Sequence, residues 1–146
     1  MNKFIFTFFV LLSMMGYAQS PNEQINDFFQ RYQSSKEGAV RYLMLNHAVS
    51  KVPEENLRQL LNEINKMDDQ SVGAFKGYEL IAEKHVANSL ITNSYLVKHE
   101  LHPVRFTFTF YKAENDWKIF HFNFDTKLLE ELLEASKLYY QNLNTL

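Results

Sequence analysis

The densest run of chemistry-bearing side chains is His99-Glu100-Leu101-His102. A zinc protease motif sets two histidines one helical turn apart, as H-E-x-x-H, so that both rings face one metal ion. Here the spacing is one residue short, the run falls at an expected turn, and zinc would still need a third ligand. It reads as a pair of exposed turn histidines, and no metal is assigned. A second candidate is His121. In an alternating strand its face also carries Arg105, Thr107, Thr109, Tyr111, Trp117, Ile119 and Asn123. Such a mixture of aromatic and polar groups suits a ligand wall or a dimer face, and equally a half-solvated outer sheet face. Arg105, Tyr111, Trp117 and His121 are therefore the candidate binding residues. Acid/base work by His121 would need a partner carboxylate and a pocket, and Asp125 lies too far along the same strand for direct contact.

Other catalytic chemistry finds no support. No serine sits in a G-x-S-x-G elbow, and the chain has no cysteine to act as a nucleophile or to form a disulfide. Beyond residue 18 the only glycines are Gly38, Gly73 and Gly77, so no nucleotide loop is present and no cofactor is assigned. The carboxylate pairs Glu54-Glu55, Asp68-Asp69 and Glu130-Glu131 belong to helix ends or helix surfaces, where negative charge near an N-terminus complements the helix dipole. No catalytic residue is assigned. If the chain were an enzyme, His121 would be the residue to carry it.

The elements that must position these residues follow from periodicity. Ser20-Pro21-Asn22-Glu23 is a capping box with proline in the first turn, and Ile25, Phe28, Phe29 and Tyr32 follow at helical spacing. The first helix is expected over residues 21 to about 34, with a break at Glu37-Gly38. Residues 39–49 fit a helix face or a short strand, and helix is preferred. Pro53 opens a helix whose Leu57, Leu60, Leu61, Ile64 and Met67 form one stripe. From Gly77 the period changes, and strands are expected over 78–85, 90–100, 104–112 and 117–125, joined by short hairpin loops. Phe106, Phe108 and Phe110 alternate on one strand, and Phe120, Phe122 and Phe124 on the next. A three-residue loop at Glu114-Asn115-Asp116 would put both rows on one face, and burial selects that register. A closing helix over about 126–141 carries Leu128, Leu132, Ala135 and Tyr139 in one row, with Leu129, Leu133 and Tyr140 beside it.

Residues 1–18 read as a cleavable signal peptide. Met1-Asn2-Lys3 is a short basic start, residues 4–15 are apolar apart from Thr7 and Ser13, and Gly16-Tyr17-Ala18 offers small residues to a peptidase. The run is too short to span a bilayer, which takes about 20 residues. Residues 19–146 then form one soluble domain, periplasmic or secreted, held together by burial alone. The formal charge is −2 and loses one more positive charge with Lys3, so there is no basic footprint for nucleic acid. No later segment could span a membrane.

The fold class expected is α+β: N-terminal helices packed on a curved four-stranded antiparallel sheet, followed by a C-terminal helix. This layout, with the aromatic strand 106–111, the acidic turn Glu114-Asn115-Asp116 and then Trp117-Lys118-Ile119, resembles the NTF2-like, cystatin-like superfamily. The resemblance covers most of residues 19–146. It implies a cone-shaped pocket between sheet and helices and dimerisation through the sheet. That superfamily includes isomerases, dehydratases, transport factors and exported proteins without known activity. The acid/base residues of its isomerases have no match here. The expected role is a non-enzymatic module that takes a small apolar ligand or an envelope protein, with a homodimer through the sheet. The alternatives are a small isomerase or dehydratase, or a purely structural envelope domain.

Overall fold

The structure is a computed structural model that describes residues 19–143, with side chains as far as Lys137. The expected leader, residues 1–18, lies outside the described residues, as do the side chains of Tyr139 and Tyr140. Three helices come first: α1 (Pro21–Tyr32), α2 (Lys36–Asn46) and α3 (Glu54–Asn65). Four strands follow, β1 (Phe75–Val86), β2 (Leu90–His99), β3 (Val104–Tyr111) and β4 (Lys118–Asp125), and α4 (Leu128–Leu143) closes the order. The strands form one antiparallel sheet in the order β1-β2-β3-β4. The class is α+β.

The start of α1 is fixed by its capping box. The Glu23 amide donates to Ser20 Oγ at 3.3 Å, and the Ser20 amide donates to Glu23 Oε2 at 2.7 Å. Two of the orphan amides of the helix start are thereby satisfied. The break after α1 falls at Gln33–Ser35, not at Glu37-Gly38. Ser35 caps α2, its Oγ accepting from the Gly38 amide at 2.9 Å, so Gly38 lies inside the helix. Residues 39–46 are helical, which settles the choice between helix and strand.

The core is aromatic. Phe28, Phe29 and Tyr32 of α1 are buried together with Phe106, Phe108 and Phe110 of β3. The Phe28 ring lies 5.2 Å from Phe108, 5.5 Å from Phe122 and 6.0 Å from Phe106. Each such side chain, fully buried, contributes roughly 1.5–3 kcal/mol. These rings fill the space between α1 and the sheet, where the family resemblance implied a cone-shaped pocket. Gln24 ties the helix to the far hairpin, its amide nitrogen donating to the Trp117 carbonyl at 2.8 Å.

The register of β4 departs from the expected one. Phe106 faces Phe124 and Phe108 faces Phe122, but a bulge follows Thr109↔His121, and Phe110 pairs with Ile119. Ile119 is therefore buried on the inner face, while Phe120 is turned outward and is 64% exposed. The connection from Tyr111 to Lys118 is also longer than three residues, and Trp117 lies in it rather than in the strand. Trp117 packs against the core, with the Lys112 ammonium 4.9 Å above its ring. The outer-face positions expected for Ile119 and Trp117 are thus both overturned. The cause is that either Ile119 or Phe120 can fill the inner site, and the long connection leaves both registers open.

One further expectation changes. His99 is not an exposed turn residue: it ends β2 on the inner face, buried, with its Nε2 sharing a hydrogen bond of 3.1 Å with the Tyr32 hydroxyl. In α4, Leu128 is half-buried. Leu129, Leu132 and Leu133 are exposed, as is every residue from Leu129 to Lys137. Among the described residues no helix is long and apolar enough to cross a membrane.

Candidate functional site

The four residues singled out from the sequence do not converge. Arg105 and Tyr111 lie at opposite ends of β3, six residues apart, which is roughly 20 Å along a strand. Four of the five N–H donors of Arg105 are already engaged by carboxylates of this chain. Its Nε and Nη2 donate to Asp125 at 3.0 and 3.1 Å, and its Nη1 and Nη2 donate to Glu131 of α4 at 2.7 and 2.8 Å. Both carboxylates hold the guanidinium firmly in its charged form, the Glu131 bond most strongly. The same bond holds the Glu131 carboxyl below its ordinary range. Arg105 is therefore an internal clamp between the sheet and the first turns of α4.

Tyr111 is part-exposed and meets Phe120 edge to face, the ring centroids 6.3 Å apart. His121 is exposed and stands opposite Thr109 on the outer face. Between these rows the hydroxyls satisfy one another, Thr92 with Thr109 at 3.1 Å and Ser94 with Thr107 at 3.2 Å. A hydroxyl ladder of this kind suits a solvated sheet face and adds no apolar anchor.

The feature that sequence reasoning missed is a groove at the free edge of β4. After α2 the chain runs beside Ile119: the Val49 amide donates to the Ile119 carbonyl at 2.8 Å, and the Ile119 amide donates to the His47 carbonyl at 2.6 Å. This single parallel bridge at Ala48 ends there. Beyond it, among the described residues, no strand covers the outer edge of β4. The gap between that edge, the 48–52 segment and α3 is a groove of about 430 Å³, lined by Met44, Val49, Val52, Leu60, Phe120 and His121 among others. No carboxylate lines it. Bulges at sheet edges commonly re-aim one side chain, and here the side chain is Phe120. The signal was present in the sequence as an apolar pair, Ile119-Phe120, where strict alternation allows only one inward residue.

A second depression, about 690 Å³, lies between the α1–α2 turn and the start of β1. Its lining includes Gln33, Ser34, Ser35, Lys36, Asp69 and Lys76. Lys36 is already engaged there, donating to the Met67 carbonyl at 2.5 Å and lying 3.5 Å from Asp69. Its rim is polar and offers no exposed large apolar side chain, so the β4 groove is the better candidate for recognition. His99 and Tyr32 form a separate buried pair. Burial foremost, and then the Lys36 charge, push the His99 ring down to about 4, so it is neutral in the folded protein at neutral pH. Burial likewise raises the Tyr32 hydroxyl.

Among the described residues no group of three or more histidine or acidic side chains is placed to hold a metal ion. His121 lines the groove, and His47 is close to it with its Nε2 buried and without a partner. No protein-family model matches the chain, no curated protein matches its sequence, and no solved structure matches its fold.

Proposed function

We propose that the chain is an exported, non-enzymatic binding module of NTF2-like build, and that its binding surface is the groove at the free edge of β4. Export is supported by the leader-like composition of residues 1–18. The observation that carries the binding role is Phe120. A β-bulge holds its ring 64% exposed beside an apolar groove, where a regular strand would have buried or hidden it. Exposed apolar surface next to an unpaired strand edge favours association with a protein segment or an apolar ligand. The isomerase or dehydratase reading keeps one support, the place of His121 on the groove wall. It lacks a carboxylate there to work with the imidazole.

The test uses the chain from Gln19 onward, which contains every described element. Titration with anilinonaphthalene sulfonate is followed at the Met44 methyl resonance. A saturable shift at Met44 that Phe120→Asp abolishes supports the groove. Shifts confined to the α4 leucines, with Met44 unmoved, would place recognition elsewhere.

A further inference from the structure

Strand β1 carries a bulge of its own at Ile81, and it re-aims two side chains that can bind a metal ion. On β2 the inner row includes Asn93, Tyr95, Val97 and His99, all buried. Along β1, Tyr78 faces Val97 and Leu80 faces Tyr95, so both belong to that inner face. Strict alternation would next turn Ala82, Lys84 and Val86 inward. The ladder instead slips between Leu80 and Ala82, so that Glu83 faces Asn93 and His85 faces Ile91. The extra residue thus brings a carboxylate and an imidazole to the inner face, two positions apart on one strand.

The two side chains meet there. His85 Nε2 lies 2.7 Å from Glu83 Oε1, and Asn93 Nδ2 donates to Glu83 Oε2 at 2.9 Å. These bonds, that of His85 foremost, hold the Glu83 carboxyl below its ordinary range. Asn93 is 0% exposed, yet its Oδ1 has no partner. A buried carbonyl oxygen without a donor is costly, and a strand position among core side chains would more cheaply hold an apolar residue.

We propose that Glu83, His85 and the side-chain carbonyl of Asn93 form a binding site for a divalent transition-metal ion such as zinc. Zinc takes imidazole nitrogen and carboxylate oxygen at roughly 2.0–2.2 Å, which sets two ligand atoms around one ion roughly 3–3.5 Å apart. His85 and Glu83 therefore need to part by less than an ångström to admit it. Turning the Asn93 amide over places Oδ1 on the Glu83 side. With no cation there, that would set oxygen against carboxylate, and with one it gives the buried oxygen its partner. The Glu83 and His85 side chains are 37% and 51% exposed, so an ion can reach them and water can complete its shell.

The donor set also selects the metal. Imidazole with oxygen ligands suits zinc, copper or nickel, whereas magnesium and calcium take oxygen ligands. The chain has no cysteine to offer a softer site. Two of the three ligands are histidine or acid, in keeping with the absence of any trio of such residues among the described ones. The site lies on β1 and β2, across the sheet from the β4 groove, and does not depend on that groove binding anything.

The chain from Gln19 onward, stripped with a chelator, is titrated with zinc chloride in a calorimeter. One ion should bind per chain, while magnesium and calcium give no heat. In nitrogen-15 spectra the side-chain amide of Asn93 and the ring of His85 should shift together as zinc is added. His85→Gln and Glu83→Gln change exposed residues, so both should keep the circular dichroism of the parent. Each should weaken zinc by no less than the roughly 10–100-fold that losing even an outer-shell partner costs. His121→Gln, on the far margin of the sheet, should bind zinc as the parent does. Zinc that binds the His85→Gln or Glu83→Gln chain undiminished overturns the site, as does binding lost with His121→Gln. An Asn93 amide that stays unmoved while zinc binds overturns the three-ligand arrangement. The absence of heat up to millimolar zinc overturns the proposal outright.

Discussion

Strands β3 and β4 lie side by side and carry the same pattern, F-x-F-x-F, with different outcomes. In β3 the rings of Phe106, Phe108 and Phe110 are all fully buried. In β4 Phe122 is buried, Phe124 is half-buried and Phe120 is in water. The β3 pattern is held between two paired neighbours and under α1. The β4 pattern sits at an edge, where one extra residue can be accommodated because only one side must keep register. The comparison teaches that alternation fixes a strand's faces in the middle of a sheet and only constrains them at its margin.

The largest expected effect separates the two strands directly. Phe108 touches Phe28 at 5.2 Å and Phe122 at 5.1 Å between ring centroids and is fully enclosed. Phe108→Ala removes that burial and leaves a cavity, for a loss of about 3–5 kcal/mol. Phe120→Ala removes an exposed ring in contact with Tyr111 and should change stability by about 0.5 kcal/mol or less in the monomer. Urea unfolding monitored by Trp117 fluorescence checks both, and equal losses would contradict the different burial of the two rings.

The next effect concerns the inner face that β2 contributes. His99 is buried with its ring held neutral, its folded value near 4 against an ordinary 6.5. Between those values the unfolded chain takes up a proton that the folded chain refuses. The stability from this group is therefore complete above about pH 6.5 and is lost as pH falls toward 4. The loss approaches about 3 kcal/mol. His99→Gln keeps a polar partner for the Tyr32 hydroxyl and should flatten this part of the stability profile. Melting temperatures across that range measure it, and an unchanged slope in the variant would assign the acid sensitivity to other groups.

Much of the frame was legible from residue types. The capping box at Ser20-Glu23, the stripe Leu57-Leu61-Ile64 and the alternation through 104–110 each pair a local preference with burial, and the structure uses them as read. Three features were not legible, each for a physical reason. Gly38 suggested a break, but Ser35 supplies a cap that carries the helix past it. His99 looked like a turn residue because its burial depends on Tyr32, 67 positions away. The register of β4 depended on whether Ile119 or Phe120 turned inward, and both are apolar. The candidate residues suffered accordingly: Arg105 is occupied by Asp125 and Glu131, Trp117 joins the core, and only His121 lines the groove.

The bulge itself can be removed, which turns the comparison into an experiment of smaller effect. Deleting Phe120 joins Ile119 to His121, and the strand then reads I-H-F-N-F, with Ile119, Phe122 and Phe124 inward in regular alternation. The pairs Phe110↔Ile119 and Thr109↔His121 become consecutive without a bulge. The chain should fold with a stability within about 1 kcal/mol of the parent, since no buried side chain is lost. Dye binding at Met44 should disappear. A deletion that unfolds the domain would show that the bulge is needed for the fold itself.

The smallest effect tests how far α4 depends on its own body. Glu131→Gln removes the charge from the Arg105 clamp but leaves Asp125 to hold the guanidinium. Glu131 is 56% exposed, so solvent screens the pair and the global stability of the domain should change little. The helix, with its leucines exposed, should respond more than the sheet. Hydrogen exchange should quicken at the α4 amides while those of β3 stay protected, in step with local opening of a weakly held element. Unchanged exchange at α4 in this variant would show that the Arg105 clamp does not hold the helix.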